Sequence, residues 1–477
     1  MAGSDVLDRA RAIVGPAHVL SDPADTAPFL ADWRGRYRGE ALGIVRPADA
    51  AQVAALVRLC ADTGTPLVPQ GGNTGVVGGA IPDASGRSLV LCLSRLNRIR
   101  AVDPIGDSLT VEAGCTLAAV QAAAEQADRL FPMSLGSEGT CQIGGTIATN
   151  AGGTAVLRYG PMRDLVLGLE VVLPDGTLWN GLRALRKDNT GYALKHLFIG
   201  AEGTLGVVTA ATLKLFPRPR STATAFLALP SLEAALRVFA RLRGTLGDRV
   251  TTAEILSDSQ LAAVLAHVPG TVRPLATAMP WYLLAEVTDP MAGLDLAAAL
   301  EDLLGEGLED GSVADATVAR SHAQADALWK LRHSVSEANR KSGFVIGHDT
   351  AVPVARIPDF VARATAAVEA LQPDARVVAV GHIGDGNIHL VVILPDSART
   401  EGLPLEATAR AVSAAVHRVA IDLDGTISAE HGIGQSVRDA LAAFKGPAEM
   451  ALMRGIKRLF DPQGIMNPGK VVATDEP

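Results

Sequence analysis

Cysteine is scarce. Four occur in 477 residues, at Cys60, Cys92, Cys115 and Cys141, and no two form a C-x-x-C pair. That scatter argues against a disulfide framework or a structural zinc site and fits a reducing compartment, here expected to be the cytoplasm. Aromatic residues make up 4 % and charged residues 20 % of the chain. No uninterrupted apolar run reaches the roughly 18 residues of a membrane span. Lys and Arg total 43 against 51 Asp and Glu, a formal charge of −8. No basic block is long enough to track a phosphate backbone, so nucleic acid is not an expected partner. The opening stretch MAGSDVLDRARAIVG carries acids early and lacks the apolar centre of a secretory signal.

Glycine fills the space instead, with 48 residues in a chain that is 48 % hydrophobic. Length allows two or three domains at roughly 150 residues each. Periodicity predicts a helix over 48–63, where Val53, Leu56, Val57 and Cys60 repeat at helical spacing and Gly64 stops it. A strand over 66–70 is expected next, then two or three strands within 88–113 and a helix capped by Thr116. The run LVLGLEVVLPDGTLW predicts a hairpin turning at Pro174-Asp175-Gly176, and a strand over 207–216 ends at Pro217-Arg218-Pro219. Beyond it, strand-like runs (AFLALP, WYLLAEVT, VADATVA) alternate with helical ones at 231–243 and 291–304. This predicts an antiparallel sheet with helices on one side. Residues 321–340 read as one helix stopped by Gly343, 376–394 as two strands joined at Gly384-Asp385-Gly386, and 405–421 as a further helix.

Two uncharged Gly-rich loops stand out, Pro69-Gln70-Gly71-Gly72-Asn73-Thr74-Gly75 and the stretch 135–153. A pyrophosphate needs close backbone N–H donors, and glycine lets the chain approach and turn sharply enough to supply them. Ser137, Thr140 and Asn150 could add neutral donors. Neither loop has the G-x-G-x-x-G spacing of a Rossmann helix, which disfavours NAD. Ordinary turns in an Ala- and Gly-rich chain are the alternative.

The strings PQGGNTG, SEGTCQIGGTIATNAGG, RYG, RDLVLGLEVVLPDG and IGAEGTLGVVT closely resemble the FAD domain of the vanillyl-alcohol-oxidase flavoprotein superfamily. The C-terminal half resembles its FAD-linked oxidase partner domain, in the D-2-hydroxyacid (D-lactate, D-2-hydroxyglutarate) dehydrogenase branch. The resemblance covers nearly the whole chain. It implies an α+β fold with a two-subdomain FAD-binding PCMH-type domain over 1–218. A ferredoxin-like α+β substrate or cap domain with an antiparallel sheet follows over 219–425, and a helical segment over 426–477 returns to the FAD domain. It implies that Pro69, Gly71, Gly72, Asn73, Thr74 and Gly75 hold FAD together with Leu135, Gly136, Ser137, Gly139, Thr140, Gly144, Thr146, Asn150, Gly152, Gly206 and Val207. Asn467 of the NPGK tail is expected to fold back onto the flavin. No histidine lies in the Gly-rich loops, so the FAD is expected to be non-covalent.

Of ten histidines, three sit in two Gly-flanked strings: GHIGDGNIHL, with His382 and His389, and SAEHGIG, with Glu430 and His431. Their separation would put His382 and His389 on opposite faces of one straight strand, so a turn at 384–386 has to fold two strands together. Two imidazoles and a carboxylate with an open position suit a catalytic divalent metal, zinc first. Satisfied or surface histidines are the alternative. The resemblance implies that His382, His389 and Glu430 are the ligands and that His431 is the base. His431 would take the proton of a metal-bound 2-hydroxyl while hydride leaves C2 for flavin N5.

Trp329, Arg332, His333 and Ser336 fall on one face of a helix, and Arg332 could clamp a carboxylate. A solvated basic face with Lys330, Arg340 and Lys341 is the alternative. The resemblance makes W-x-L-R part of a substrate-binding helix, with Ser336 and Asn387 in the substrate set. Relatives acting on 2-hydroxyglutarate usually carry threonine at Ser336, lysine at Gly347 and asparagine at Val391. Losing a cation and an amide removes partners for a second carboxylate. The expected substrate is therefore a D-2-hydroxy acid with a less polar tail, lactate or a larger alkyl or aryl analogue. Electron-transfer flavoprotein or a quinone is the expected acceptor, and a homodimer is compatible with the chain. Competing readings are a D-2-hydroxyglutarate dehydrogenase, an O2-using oxidase, a non-catalytic flavin subunit and a non-enzymatic metal-binding protein.

Overall fold

The computed structural model describes residues 3–395 and 404–473. The chain divides into two compact units. One comprises Met1–Gly153, Gly160–Arg218 and Glu430–Pro477, and the other Thr154–Tyr159 and Pro219–Ala429. Among the described residues no helix is long and apolar enough to cross a membrane.

The first unit holds a four-stranded sheet, a five-stranded sheet and a short antiparallel pair of Arg129–Leu130 with Phe216–Pro217. In the four-stranded one, Gly43–Val45, Leu89–Cys92 and Leu67–Gln70 run parallel, with Val19–Leu20 antiparallel at the edge. Leu89–Cys92 lies between two neighbours and is buried throughout, as its unbroken apolar run requires. The helix predicted over 48–63 spans Ala50–Thr63. Asp49 caps it by accepting from Gln52 N at 2.8 Å, and Gly64 ends it at φ 65°. The five-stranded sheet is antiparallel, in the order Ile99–Asp103, Ser108–Glu112, Val207–Lys214, Val166–Val172, Leu178–Gly181. Its last hairpin turns at Gly176 (φ 81°), where the Pro-Asp-Gly signal placed it. The C-terminal segment closes this unit, because Asn467 N donates to Leu67 O and Leu67 N to Ile465 O, each at 2.8 Å. All four cysteines are free and buried.

The second unit is built on a seven-stranded sheet. Its strands are β1 (Ser221–Leu229), β2 (Val250–Ser257), β3 (Trp281–Asp289), β4 (Asp315–Val318), β5 (Phe344–Ala351), β6 (Arg376–His382) and β7 (Asn387–Leu394). The order is β4-β1-β3-β2-β6-β7-β5, antiparallel throughout. The first four strands have the ferredoxin-like order 4-1-3-2, with α1 (Leu232–Leu246) and α3 (Leu296–Glu309) as crossovers. Alternate residues feed two cores. Ala225, Leu227, Leu283 and Ala285 pack with α1, α3, α6 (Ile357–Leu371) and α7 (Leu405–Asp422). Phe226, Ala228, Tyr282 and Leu284 pack on the other side with α2 (Asp258–His267), α4 (His322–His333) and α5 (Val335–Lys341).

Three details differ from the sequence-based expectation. Helices cover both faces of the sheet rather than one, because β1 and β3 carry unbroken apolar runs, AFLAL and WYLLA, and are buried at nearly every position, so neither face can be left to water. The helix expected over 291–304 starts later, at Leu296, since Gly293 adopts φ 78° and Asp295 supplies the N-cap, accepting from Ala298 N at 2.9 Å. The single helix expected over 321–340 is two, divided at Ser334 (φ −85°, ψ −2°) in a Ser-Val pair of weak helix formers.

Candidate active site

In the first unit the two Gly-rich loops lie against each other. Strand Leu67–Gln70 ends on Gln70, whose Nε2 donates to Phe29 O and Ala80 O at 2.9 Å, and the chain then enters the 71–75 loop. A Cβ on Gly72 would run into the carbonyl oxygen of Thr140, and one on Gly71 would stand 3.5 Å from Gln142 Oε1. Asn73 turns the loop at φ 53°, and its Nδ2 donates to Ala31 O at 2.8 Å. Gly144 is fixed by donating to Ala113 O at 2.7 Å, and Thr146 spends its hydroxyl on Ile143 O. Asn150 (φ 49°) accepts from Arg163 N at 2.8 Å. Pro69 packs on Gly203, and Gly206 and Val207 are buried at the start of their strand, with Gly206 close to Val171 and Val172. Around Gly75, Gly136 and Gly139, by contrast, a Cβ would meet nothing within 4 Å. Leu135, Ser137, Thr140 and Gly152 also keep contact with solvent.

The cradle has unmet polar capacity. Among the described residues nothing accepts from the backbone N–H groups of residues 71–75, or from those of Gly136, Ser137 and Gly139. Gln142 Oε1 and Asn467 Oδ1 are buried without a partner. Asn467 sits at φ 43°, its Nδ2 donating to Gly79 O at 2.9 Å and Glu202 O at 2.7 Å, so its oxygen is held in one direction. Paired N–H donors for phosphate and fixed acceptors for hydroxyl or ring N–H groups suit FAD.

In the second unit the turn at 384–386 sets the register His382↔Asn387, Gly381↔Ile388 and Val380↔His389. Residues paired in this way share a face, so His382, Asn387 and His389 all lie on the side of the sheet covered by α4. Asp349 of β5 pairs with His389, and Glu254 of β2 pairs with His382, which adds two carboxylates to the row. The imidazoles of His382 and His389 meet edge to face at 5.7 Å. His389 Nδ1 stands 3.6 Å from Asp349 Oδ1. Asn387 spends its amide N–H groups on Asp349 Oδ1 (3.0 Å) and Thr350 O (2.9 Å).

Glu254 is the hub of this face. It is fully buried, its Oε1 lies 2.5 Å from His382 Nδ1, and Arg332 Nε donates to its Oε2 at 2.6 Å. Burial alone would raise its pKa, but Arg332 and His382 together hold it down to about 2. Glu286, on the adjacent strand β3 and the same face, accepts from Trp329 Nε1 (2.8 Å) and Thr224 Oγ1 (3.1 Å). Burial pushes its pKa up, and its two partners offset this only in part. Two residues of α4 thus reach down onto two strand carboxylates. His333 stacks on Trp329 at 5.3 Å, while Ser336, past the break at Ser334, is exposed on α5.

Glu430 and His431 belong to the first unit and stand side by side, His431 Nε2 to Glu430 Oε1 at 4.0 Å. The residues after them are clamped by Glu202, which accepts from Ile433 N at 2.7 Å and Gly434 N at 2.8 Å. Burial raises the Glu202 pKa, partly offset by those two bonds and by Lys470. The residue before them is fixed in the second unit, where Ala429 N donates to Asp349 O (3.1 Å) and Oδ2 (3.0 Å).

Sequence reasoning missed Glu254, Glu202 and a role for Asp349. The signal was available in part: a glutamate among small and apolar residues, as in TAEIL and GAEGT, has to be buried with a partner. The partner's identity was not available.

Family models for the FAD binding domain and for the C-terminal domain of FAD linked oxidases match residues 41–181 and 218–471. The mitochondrial D-2-hydroxyglutarate dehydrogenase of Bos taurus is 38 % identical over 462 residues, covering 97 % of this chain and 82 % of that protein. A D-2-hydroxyglutarate dehydrogenase of Xanthomonas citri pv. viticola is 39 % identical over 458 residues, covering 96 % and 94 %. A crystal structure of p-cresol methylhydroxylase with substrate bound aligns with a TM-score of 0.78 at 15 % identity, over 99 % of this chain and 98 % of that one, a likeness of fold alone.

Proposed function

The chain belongs to the FAD-linked oxidase family, and from that membership we propose its reaction: it is an FAD-dependent dehydrogenase that oxidises a D-2-hydroxy acid to the 2-oxo acid. The observation that carries this reading is the sheet face on which His382, His389 and Asp349 stand beside an arginine held by a buried carboxylate. FAD, when bound, supplies the acceptor for the hydride from C2. A divalent ion, zinc first, supplies the positive charge that makes the 2-hydroxyl a better acid. His382, His389 and Glu430 are its proposed ligands, with Asp349 beside them. Chain connectivity supports the grouping, because Ala429, bonded to Asp349, is covalently next to Glu430.

Each side chain then has a task. His431 takes the hydroxyl proton. Arg332, with Nε committed to Glu254, offers its Nη groups to the substrate carboxylate. Ser336 and Asn387 complete the substrate wall, Asn387 by holding Asp349. Gly347 and Val391, where 2-hydroxyglutarate enzymes usually carry lysine and asparagine, are direct cross-strand partners. They adjoin an apolar group of Val345, Val378 and Ile393 on the same face. That surface suits an alkyl or aryl tail better than a second carboxylate. The electrons then pass to an external carrier, electron-transfer flavoprotein or a quinone.

The test is dye reduction by the FAD-loaded protein across paired D- and L-2-hydroxy acids, from lactate through aryl tails to 2-hydroxyglutarate. D-acids with apolar tails are expected to win. Stripping metal with a chelator should abolish turnover and zinc restore it. Glu430→Ala and His431→Ala should each cost at least about 100-fold in kcat while FAD stays bound. Preference for L-acids, or full turnover without metal, overturns the proposal.

A further inference from the structure

Glu202 has no part in the proposed reaction as written, yet it joins two pieces of the first unit that do. Its backbone belongs to the cofactor cradle. Glu202 N donates to Ala148 O at 2.8 Å, at the end of the short helix Ile143–Ala148 that carries Gly144 and Thr146. Glu202 O accepts from Asn467 Nδ2 at 2.7 Å. Its side chain belongs to the turn that follows His431. Oε1 accepts from Ile433 N at 2.7 Å and Oε2 from Gly434 N at 2.8 Å. Gly432 (φ 85°) and Gly434 (φ 49°) supply the left-handed steps that bring two successive N–H groups onto one anion. The fit is close: a Cβ on Gly432 would stand 2.8 Å from Glu202 Oε1, and one on Gly79 would stand 3.2 Å from Oε2. Past the turn, Gln435 N donates to Val77 O at 2.9 Å and Gln435 Nε2 to Gly78 O at 3.0 Å. Glu202 itself adopts φ 50°, a conformation that a residue with a side chain keeps only where its surroundings fix it.

We propose that Glu202 is a positioning residue for the base: its backbone is fixed in the cradle, and its carboxylate holds the turn after His431, so that the base keeps its place relative to the cofactor. This rests on the reading of His431 as the base and of the cradle as the FAD site. The two attachments are separable. Changing the side chain removes the bonds to Ile433 and Gly434 and leaves both backbone bonds, to Ala148 and Asn467, in place. The role therefore predicts a slow reaction on a cofactor that still binds. A residue that only stabilised the fold would lower cofactor affinity and rate together. Misplacing a reacting group by about 1 Å is enough to cost about 100-fold in rate.

The test uses the full-length, FAD-loaded protein. Flavin reduction is followed by loss of flavin absorbance in anaerobic single turnover, with the fastest acid of the series from D-lactate to aryl-tailed D-acids, and FAD affinity is titrated in parallel. Gln keeps one acceptor oxygen and turns an amide donor towards the other N–H. Glu202→Gln is expected to slow flavin reduction about 10–100-fold while FAD affinity stays within about threefold of wild type. In His431→Ala no base is left to position, so adding Glu202→Gln should slow the reaction by less than about twofold more. Glu112, a buried carboxylate of the same unit bonded to Arg98 and Arg100, is the control. Glu112→Gln should lower the melting temperature and leave flavin reduction within about twofold of wild type. Where Glu202→Gln does not fold, Gly79→Ala presses on Oε2 with the carboxylate retained, and should slow the reaction about threefold or more in wild type and not in His431→Ala. A wild-type rate in the variant used, an undiminished further loss in the His431→Ala background, a fall in FAD affinity as large as the fall in rate, or an equal loss in Glu112→Gln each overturn the role of Glu202. A His431→Ala protein that reduces flavin at the wild-type rate instead overturns the base beneath it, and a wild-type flavin that no D-acid reduces overturns the reaction.

Discussion

Lys470 brings a positive charge into the first unit with only 3 % of its surface exposed. Burial is the largest influence on it and Arg438 adds to the cost, while Asp83 and Glu202 return part of it, leaving a pKa of about 8 instead of 10.5. The unfolded chain therefore binds more protons than the folded one between about pH 8 and 10.5, and stability rises with pH across that window. Relative to its low-pH value this contribution is complete above 10.5 and absent below about 8, and the span corresponds to about 3 kcal/mol. Lys470→Met should be more stable than wild type at pH 7, and the difference should shrink steadily towards pH 10.5. Denaturant titrations of both proteins at four pH values check it, and a difference that is flat with pH rejects the depressed pKa. The residue scale also shows what a sequence can tell. His382, His389 and His431 stood out because they sit in two compact strings flanked by glycine. Glu254 did not, because its partner His382 lies 128 residues away, and Glu202 did not, because Ile433 is 231 away. Local pattern can say that a buried carboxylate has a partner, but only the fold says which.

At the scale of elements, the face that a histidine occupies is decided by a turn. Gly386 adopts φ 81°, and a Cβ there would collide with the carbonyl oxygen of Val352. Gly386→Ala meets both a backbone conformation that disfavours side chains and a backbone clash, so a loss of upwards of about 2 kcal/mol is expected. If the hairpin survives by shifting its register by one residue, every side chain on one strand changes face. Zinc affinity should then fall with stability. Gly347→Ala, on neighbouring β5, meets nothing within 4 Å and should change stability by less than about 1 kcal/mol. Thermal melts and zinc titrations of the pair separate the two cases, and a Gly386→Ala protein with normal zinc affinity would show that the turn does not set the site. The need for this turn was legible, since two histidines on one straight strand would have faced apart. The helices on the second face of the sheet were less so. Amphipathic periodicity marks which side of a helix is apolar, not which side of a sheet it covers, and the apolar runs of β1 and β3 carried that information instead. The division of α4 from α5 at Ser334 was illegible for another reason: a one-residue change of ψ leaves the helical period almost intact.

For the molecule as a whole, the first unit is assembled from three stretches of chain, and the last of them begins at Glu430. No local periodicity ties a tail to a strand hundreds of residues earlier; the resemblance supplied that expectation, and hydrogen bonds explain it. Lys457, only 5 % exposed, donates to Thr204 O and Met466 O at 2.8 Å and pairs with Asp461 at 2.5 Å. Asp461 in turn accepts from Ile465 N and Met466 N, which delivers Asn467 to Leu67, Gly79 and Glu202. Deleting residues 461–477 leaves Lys457 buried without its carboxylate and strips strand Leu67–Gln70, which leads into the 71–75 loop, of its outer partner. Such a protein should lose the Asn467 oxygen and the order of the loop together, and FAD affinity should fall by at least tenfold, more than about 1.4 kcal/mol. Asn467→Ala keeps the Lys457–Asp461 pair and the backbone bonds to Leu67, and should lose less. Flavin retained per protein after gel filtration, followed by FAD titration of the stripped protein, ranks the three. Equal affinity in wild type and deletion would mean that the tail closes the sheet without serving the cofactor. A deletion no worse than Asn467→Ala would mean that the side chain alone, and not the ordering of the loop, is what the return of the chain contributes.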